Sequence, residues 1–361
     1  MSLLYKPDWD EARKRYEAWW AHEALDRCAI QVTAPRAGAE RSPRPERPET
    51  PEARWTDLDY ISECNELAFR ETYYGGEAFP AWHPGYPGHA AIPAFLGCPT
   101  SLDFETGWWT PVLAGADIDF KSLRLDRQGK WWLFTLDMLR RAARECKGRA
   151  IPSIGAFGGC GDTLAAVRGT DRLLLDVMDR PEQVIAAESY LMDMWCEVYG
   201  EFYAIVREVS GGSTSWGGFW SPGKTYMAQN DFAHMISPAM YRELFIAQIE
   251  KQTRFLDHTM YHVDGTGNFA HVPALCELPR LQALQILPGA GKPGALHYMD
   301  VCRTVQRAGK NLQIFLACNE VEEALSRLSA RGLMIVTSCG TEAEARALLG
   351  NAKKWSRDRR A

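Results

Sequence analysis

Short apolar runs separated by helix-length connections constrain this chain more than any other feature. Eight of them read as strands, at 28–33, 78–82, 150–156, 213–219, 258–264, 283–287, 311–316 and 333–337. Runs this short and this continuously apolar suit parallel strands buried on both faces. Between them lie glycine-rich turns and periodic helices. The clearest helix spans 181–209, where Val184, Leu191, Trp195, Val198, Phe202, Ile205 and Val209 make one stripe at spacings of three, four or seven. Ser237-Pro238 opens another, as N-cap and first-turn proline. Eight strands alternating with helices predict an α/β fold of the (β/α)8 TIM-barrel type, with a doubly wound open sheet as the alternative.

At 361 residues the chain suits one such barrel as a single domain, and 46% hydrophobic residues provide for a large core. Residues 1–27 read as a helical extension and the proline-rich stretch 35–54 as a linker or lid. The alternation over 117–134, around Asp126-Arg-Gln-Gly129, reads as a β-hairpin insertion. Net charge is −5 with both signs interspersed, which excludes a nucleic-acid surface; the short Arg357, Arg359, Arg360 tail reads as a frayed end. No apolar run approaches the roughly 20 residues of a membrane span, and the N-terminus does not read as a secretory signal. Ten cysteines without a Cys-x-x-Cys pair read as reduced thiols of a cytoplasmic protein.

His262-Val-Asp-Gly-Thr-Gly267 is the segment richest in chemistry. On a strand, residues 262 and 264 project to one side, so an imidazole and a carboxylate share a face at the strand's C-terminal end. Parallel α/β folds build their sites at such ends. The plain alternative is a strand-end histidine bonded to a neighbour, with Asp264 capping a turn. Asp231 and His234, three apart, could form a polar wall or a general base, or Asp231 could cap the next helix. His83 sits in a Gly/Pro loop, and Cys318 precedes a helix start. Among 13 tryptophans, Trp216 and Trp220, together with Tyr226, occupy a glycine-rich segment suited either to a flat ligand or to a packed lid. Gln285 marks the end of the sixth strand.

Two stretches carry a family resemblance. Ile151-Pro-Ser-Ile-Gly-Ala-Phe-Gly-Gly-Cys-Gly-Asp-Thr, continuing to Gly169, resembles the strand–loop–helix segment of the uroporphyrinogen decarboxylase superfamily, and Asp231 to Leu244 resembles a second segment with its Ser-Pro-x-x-Tyr helix start. The resemblance covers most of 150–350 and implies a TIM barrel. True decarboxylases of that superfamily carry an early Arg-Gln-Ala-Gly-Arg motif and a late Gly-His-Gly segment. Here the corresponding stretches read Pro35-Arg-Ala-Gly-Ala-Glu-Arg41 and Thr337-Ser-Cys-Gly340, departures that count against porphyrinogen chemistry. The other branch, corrinoid-dependent methyltransferases, holds zinc with a His-x-Cys pair and a distant Cys. The resemblance therefore implies His262, Asp264 and Cys339 as zinc ligands, Asp231, His262 and Asp264 as catalytic groups, and Trp216, Trp220, Tyr226 and Gln285 as contacts for a corrinoid or substrate. It implies methyl transfer between a corrinoid and a thiol or similar acceptor, with a corrinoid protein as partner and a homodimer as a further expectation. A cofactor-free decarboxylase and a non-catalytic binding barrel are the alternatives.

Overall fold

The computed structural model describes residues 2–85, 87–115 and 117–359; Arg360, the end of the basic tail, lies outside them. Among the described residues thirteen strands occur in chain order: β1 Ala29–Pro35, β2 Thr72–Gly76, β3 Ala81–Trp82, β4 Thr100–Leu102, β5 Gly107–Trp109, β6 Ile151–Ile154, β7 Ser213–Ser215, β8 Trp220–Ser221, β9 Thr225–Ala228, β10 His258–Asp264, β11 Ala283–Leu287, β12 Asn311–Phe315 and β13 Leu333–Ser338. One sheet has the order β2-β1-β13-β12-β11-β10-β9 and another β3-β6-β7-β8. All neighbours in these two sheets are parallel except β2 on β1 and β8 on β7. The parallel order follows the chain and never reverses, as it would in a doubly wound sheet.

The backbone rungs form two arcs rather than one closed ring. Where the arcs meet, side chains take over. Ser213 Oγ and the Tyr199 hydroxyl accept from the Thr225 N–H, and Ser215 Oγ accepts from the Met227 N–H. Serines on β7 thus satisfy β9 amides that have no backbone partner there.

Residues alternate between two cores. Ile30, Val32, Val263, Leu284, Ile286, Leu312, Ile314 and Ile335 join the larger apolar cluster with the helices, including Pro181–Ser210. Ala29, Met227, Met260, Ala283 and Met334 turn the other way, onto Trp9, Tyr16, Trp19 and Trp20 of the helix Trp9–Trp20 and onto Phe79, Phe219 and Trp220. These strand residues lie near the strands' N-terminal ends, so the helix stoppers that end. The expected helical extension is therefore a floor.

Two expectations are corrected. The stretch 117–134 is not a hairpin: a short 3-10 turn, Phe120–Ser122, leads into the helix Lys130–Cys146. Trp132, Thr135, Met138, Leu139, Ala142 and Cys146 are buried at helical spacing, and this three-and-four period overrides the apparent alternation. The antiparallel hairpin lies upstream, as β4 and β5. The tail is not frayed as far as Arg359, since Arg357 O and Arg359 N bond Ala330 N and Ser329 Oγ. No helix among the described residues is long and apolar enough to cross a membrane.

Candidate functional site

With the N-terminal end sealed, polar side chains gather toward the other end. His262, Gln285, Gln313 and Met334 are register partners across β10, β11, β12 and β13. Their side chains bond in the same order. His262 Nδ1 meets Gln285 Oε1, Gln285 Nε2 donates to Gln313 Oε1, and Gln313 Nε2 donates to Met334 Sδ at 3.2 Å. An amide oxygen can only accept, so Nδ1 carries the imidazole proton and Nε2 keeps the ring's lone pair. Trp216 stands edge-on to this ring at 5.2 Å, its indole N–H on Met227 O. His83, expected to be a loop histidine, reaches the Trp216 backbone, and burial holds its pKa down to about 4.

The second half of the site is acidic. Asp231 opens the 3-10 turn Asp231–Met235 after β9. Burial raises its pKa and Asp264 raises it further, while His262 and His234 pull the other way. Asp162, at the start of the helix Asp162–Arg168, accepts from the backbone N–H groups of Asp231 (2.7 Å) and Phe232 (3.0 Å) and from Gln229 Nε2 (3.0 Å). Burial, then the charge of Asp231, still pushes it up to about 7. Behind it lies Glu188, whose pKa burial also raises to about 7. Asp231, the one of these carboxyls within electrostatic reach of an imidazole, is a candidate for proton handling. The glycines of the 262–267 segment have a steric reason: a Cβ on Gly267 would lie 2.3 Å from the His234 ring.

Not all the expected residues converge. Cys339 donates its backbone N–H to Thr33 O, and its side chain bonds Cys318; burial and that neighbour push the thiol up to about 11. Among the described residues no group of three or more His, Cys, Asp and Glu could hold a metal ion. His262, Asp264 and Cys339 are therefore not brought together as a three-donor set for zinc: the Cys339 thiol is engaged with Cys318, while His262 keeps Nε2 free of the Gln285 bond. Trp220 is wholly buried against Trp9 and Tyr16 in the floor. Tyr226 is buried too, accepting from Phe157 N and donating to Gly158 O. Neither can face a corrin; Trp216 and Gln285 remain at the site.

Sequence reasoning missed Asp162, Gln229 and Gln313. The first lay inside the 151–169 segment but was read only as part of a motif. Gln313 could have been found, since a glutamine in mid-strand among apolar residues demands a partner. A cavity of about 480 Å3 beneath Pro43 and Pro45 lies away from this cluster, and there Glu66 and Arg149 already pair with each other.

A methyltransferase from Methanosarcina mazei superposes on this chain with a TM-score of 0.59, covering 95% of it and 98% of the other at 12% sequence identity. The two share a fold. No protein-family model matches the chain, and no curated protein matches it.

Proposed function

We propose that this protein is a methyltransferase on a barrel-type winding, acting on a small molecule at the C-terminal ends of its strands. Fold similarity over nearly the whole length of a methyltransferase carries the proposal. The site supplies chemistry that fits it. His262, with Nδ1–H tied to Gln285, offers Nε2 as a proton acceptor for a thiol or similar acceptor, which must lose its proton to attack a methyl group. Asp231 lies within electrostatic reach of that ring, and Asp162 holds the Asp231 backbone through its N–H.

No step runs through zinc, because the donors are not assembled. A corrinoid enters as the methyl carrier, brought by a partner protein rather than held by Trp220 or Tyr226. A decarboxylase of polycarboxylate substrates is disfavoured, since the cavity beside Asp231 is lined by carboxylates and, among the described residues, by no arginine or lysine.

Incubation with methylcobalamin and a thiol should give the thioether, with cob(I)alamin as co-product, by mass spectrometry and absorbance. His262→Ala should slow it by about 100-fold or more with the fold intact. Absence of methyl transfer from every corrinoid and amine donor tried, with ligand binding intact, would leave a binding barrel instead.

A further inference from the structure

A cavity of about 580 Å3 opens beside the acidic half of the site. Its walls include Trp108, Trp109 and Phe232, and its polar groups include Asp162, Asp231 and Gln229. No Lys, Arg or His lines it among the described residues. The indole wall is built rather than incidental. Trp109 donates its ring N–H to Gly88 O at 3.1 Å, and Gly88 takes a φ of +95°. A Cβ at Gly88 would sit 2.5 Å from the Trp109 ring, so ring and backbone are in close contact. Asp264, outside this lining, lies within electrostatic reach of Asp231. A lining whose charged groups among the described residues are both carboxylates favours a positive ligand.

We propose that this cavity binds a small organic cation bearing a methylated ammonium group, its methyls on the indole faces and its charge toward Asp162 and Asp231. Aromatic faces attract cations, and methylated ammonium ions cost less to desolvate than metal ions or primary amines. The uncharged apolar walls suit the methyls and offer an anionic ligand nothing. The inference rests on the methyl-transfer reading only for the ligand's use; binding stands on the cavity alone.

Choline and 3,3-dimethylbutan-1-ol have the same shape and differ by the charge, so calorimetric titration of the full chain with each is the test. Choline should bind about tenfold more tightly or better. Trp109→Leu and Asp231→Asn should each weaken choline and leave the neutral alcohol nearly unchanged. Choline binding should also tighten as pH rises through about 7, with proton release, because the cation favours ionised Asp162. The titratable groups that interact with that carboxyl are Asp231, Glu188, Cys160, Tyr226, Tyr241 and Tyr261, and His262, Asp264 and His234 act on Asp231 in turn. Equal affinity for the two ligands, or preference for 3,3-dimethylbutanoate, would overturn the inference. Choline bound with no methyl transfer from any donor would sink the functional reading and keep this one; methyl transfer without choline binding would do the reverse.

Discussion

Replacing Glu188 with Gln should flatten the pH dependence of this protein's stability. Glu188 is 2% exposed on the long helix behind Asp162. Its Oε2 accepts from Gly161 N at 3.0 Å, while Oε1 has no hydrogen-bond partner. Burial raises its pKa from 4.5 to about 7, against the pull of Cys160 and the Gly161 N–H. The unfolded chain therefore ionises first as pH rises. The folded state is unpenalised below 4.5, loses stability between 4.5 and 7, and carries the full cost above that. At 1.36 kcal/mol per pKa unit the loss is about 3 kcal/mol. Glutamine cannot ionise, so the variant lacks this slope. Its amide N–H2 meets no acceptor at the Oε1 position and costs about 1–3 kcal/mol, but equally at every pH. Urea midpoints of both proteins at pH 4.5, 6, 7 and 8.5 separate the two effects. The variant should gain about 3 kcal/mol on the parent across that range, about 4 °C in Tm for a 361-residue chain. A difference constant to within about 1 kcal/mol would refute the claim that Glu188 is held neutral by burial.

Gln285→Leu should cut the amide relay, leaving Gln313 Oε1 and His262 Nδ1 to find new partners; we expect a loss of about 1–3 kcal/mol by denaturant titration. Arg27→Met strands the fully buried Glu77, which Arg27 grips at 2.7 and 2.9 Å, and should cost about 3–5 kcal/mol. Gly88→Ala should push Trp109 out of place and abolish preference for a cation, with far-ultraviolet dichroism unchanged. Cys339, held near 11, should resist maleimide at pH 7 and react only as pH climbs, read by mass spectrometry.

The strands were legible because burial on both faces leaves a run of apolar residues whatever the tertiary contacts, as in β11, β12 and β13. Strand β8, two residues long, is too short to show a period, β3 fills only the end of the run expected at 78–82, and β2 reads as the tail of the helix Leu58–Glu71 until its pairing with β1 is seen. At the site, His262 and Asp231 were legible from type and position. Trp220 was not: an indole in a glycine-rich loop looks the same whether it lines a ligand or plugs a floor, and only Trp9 and Tyr16, some 200 residues away, decide the matter. Cys339 misled for a related reason. A thiol's partner lies across strands, and nothing local distinguishes Cys318 from a metal.

The indole-filled floor under the strands has a kinetic consequence. With the lower end plugged, traffic is confined to one doorway, so a bulky carrier protein parked over it would trap whatever small molecule is already aboard. Were the proposed carrier to dock there, loading would have to come first, an order imposed by a single helix at the far end.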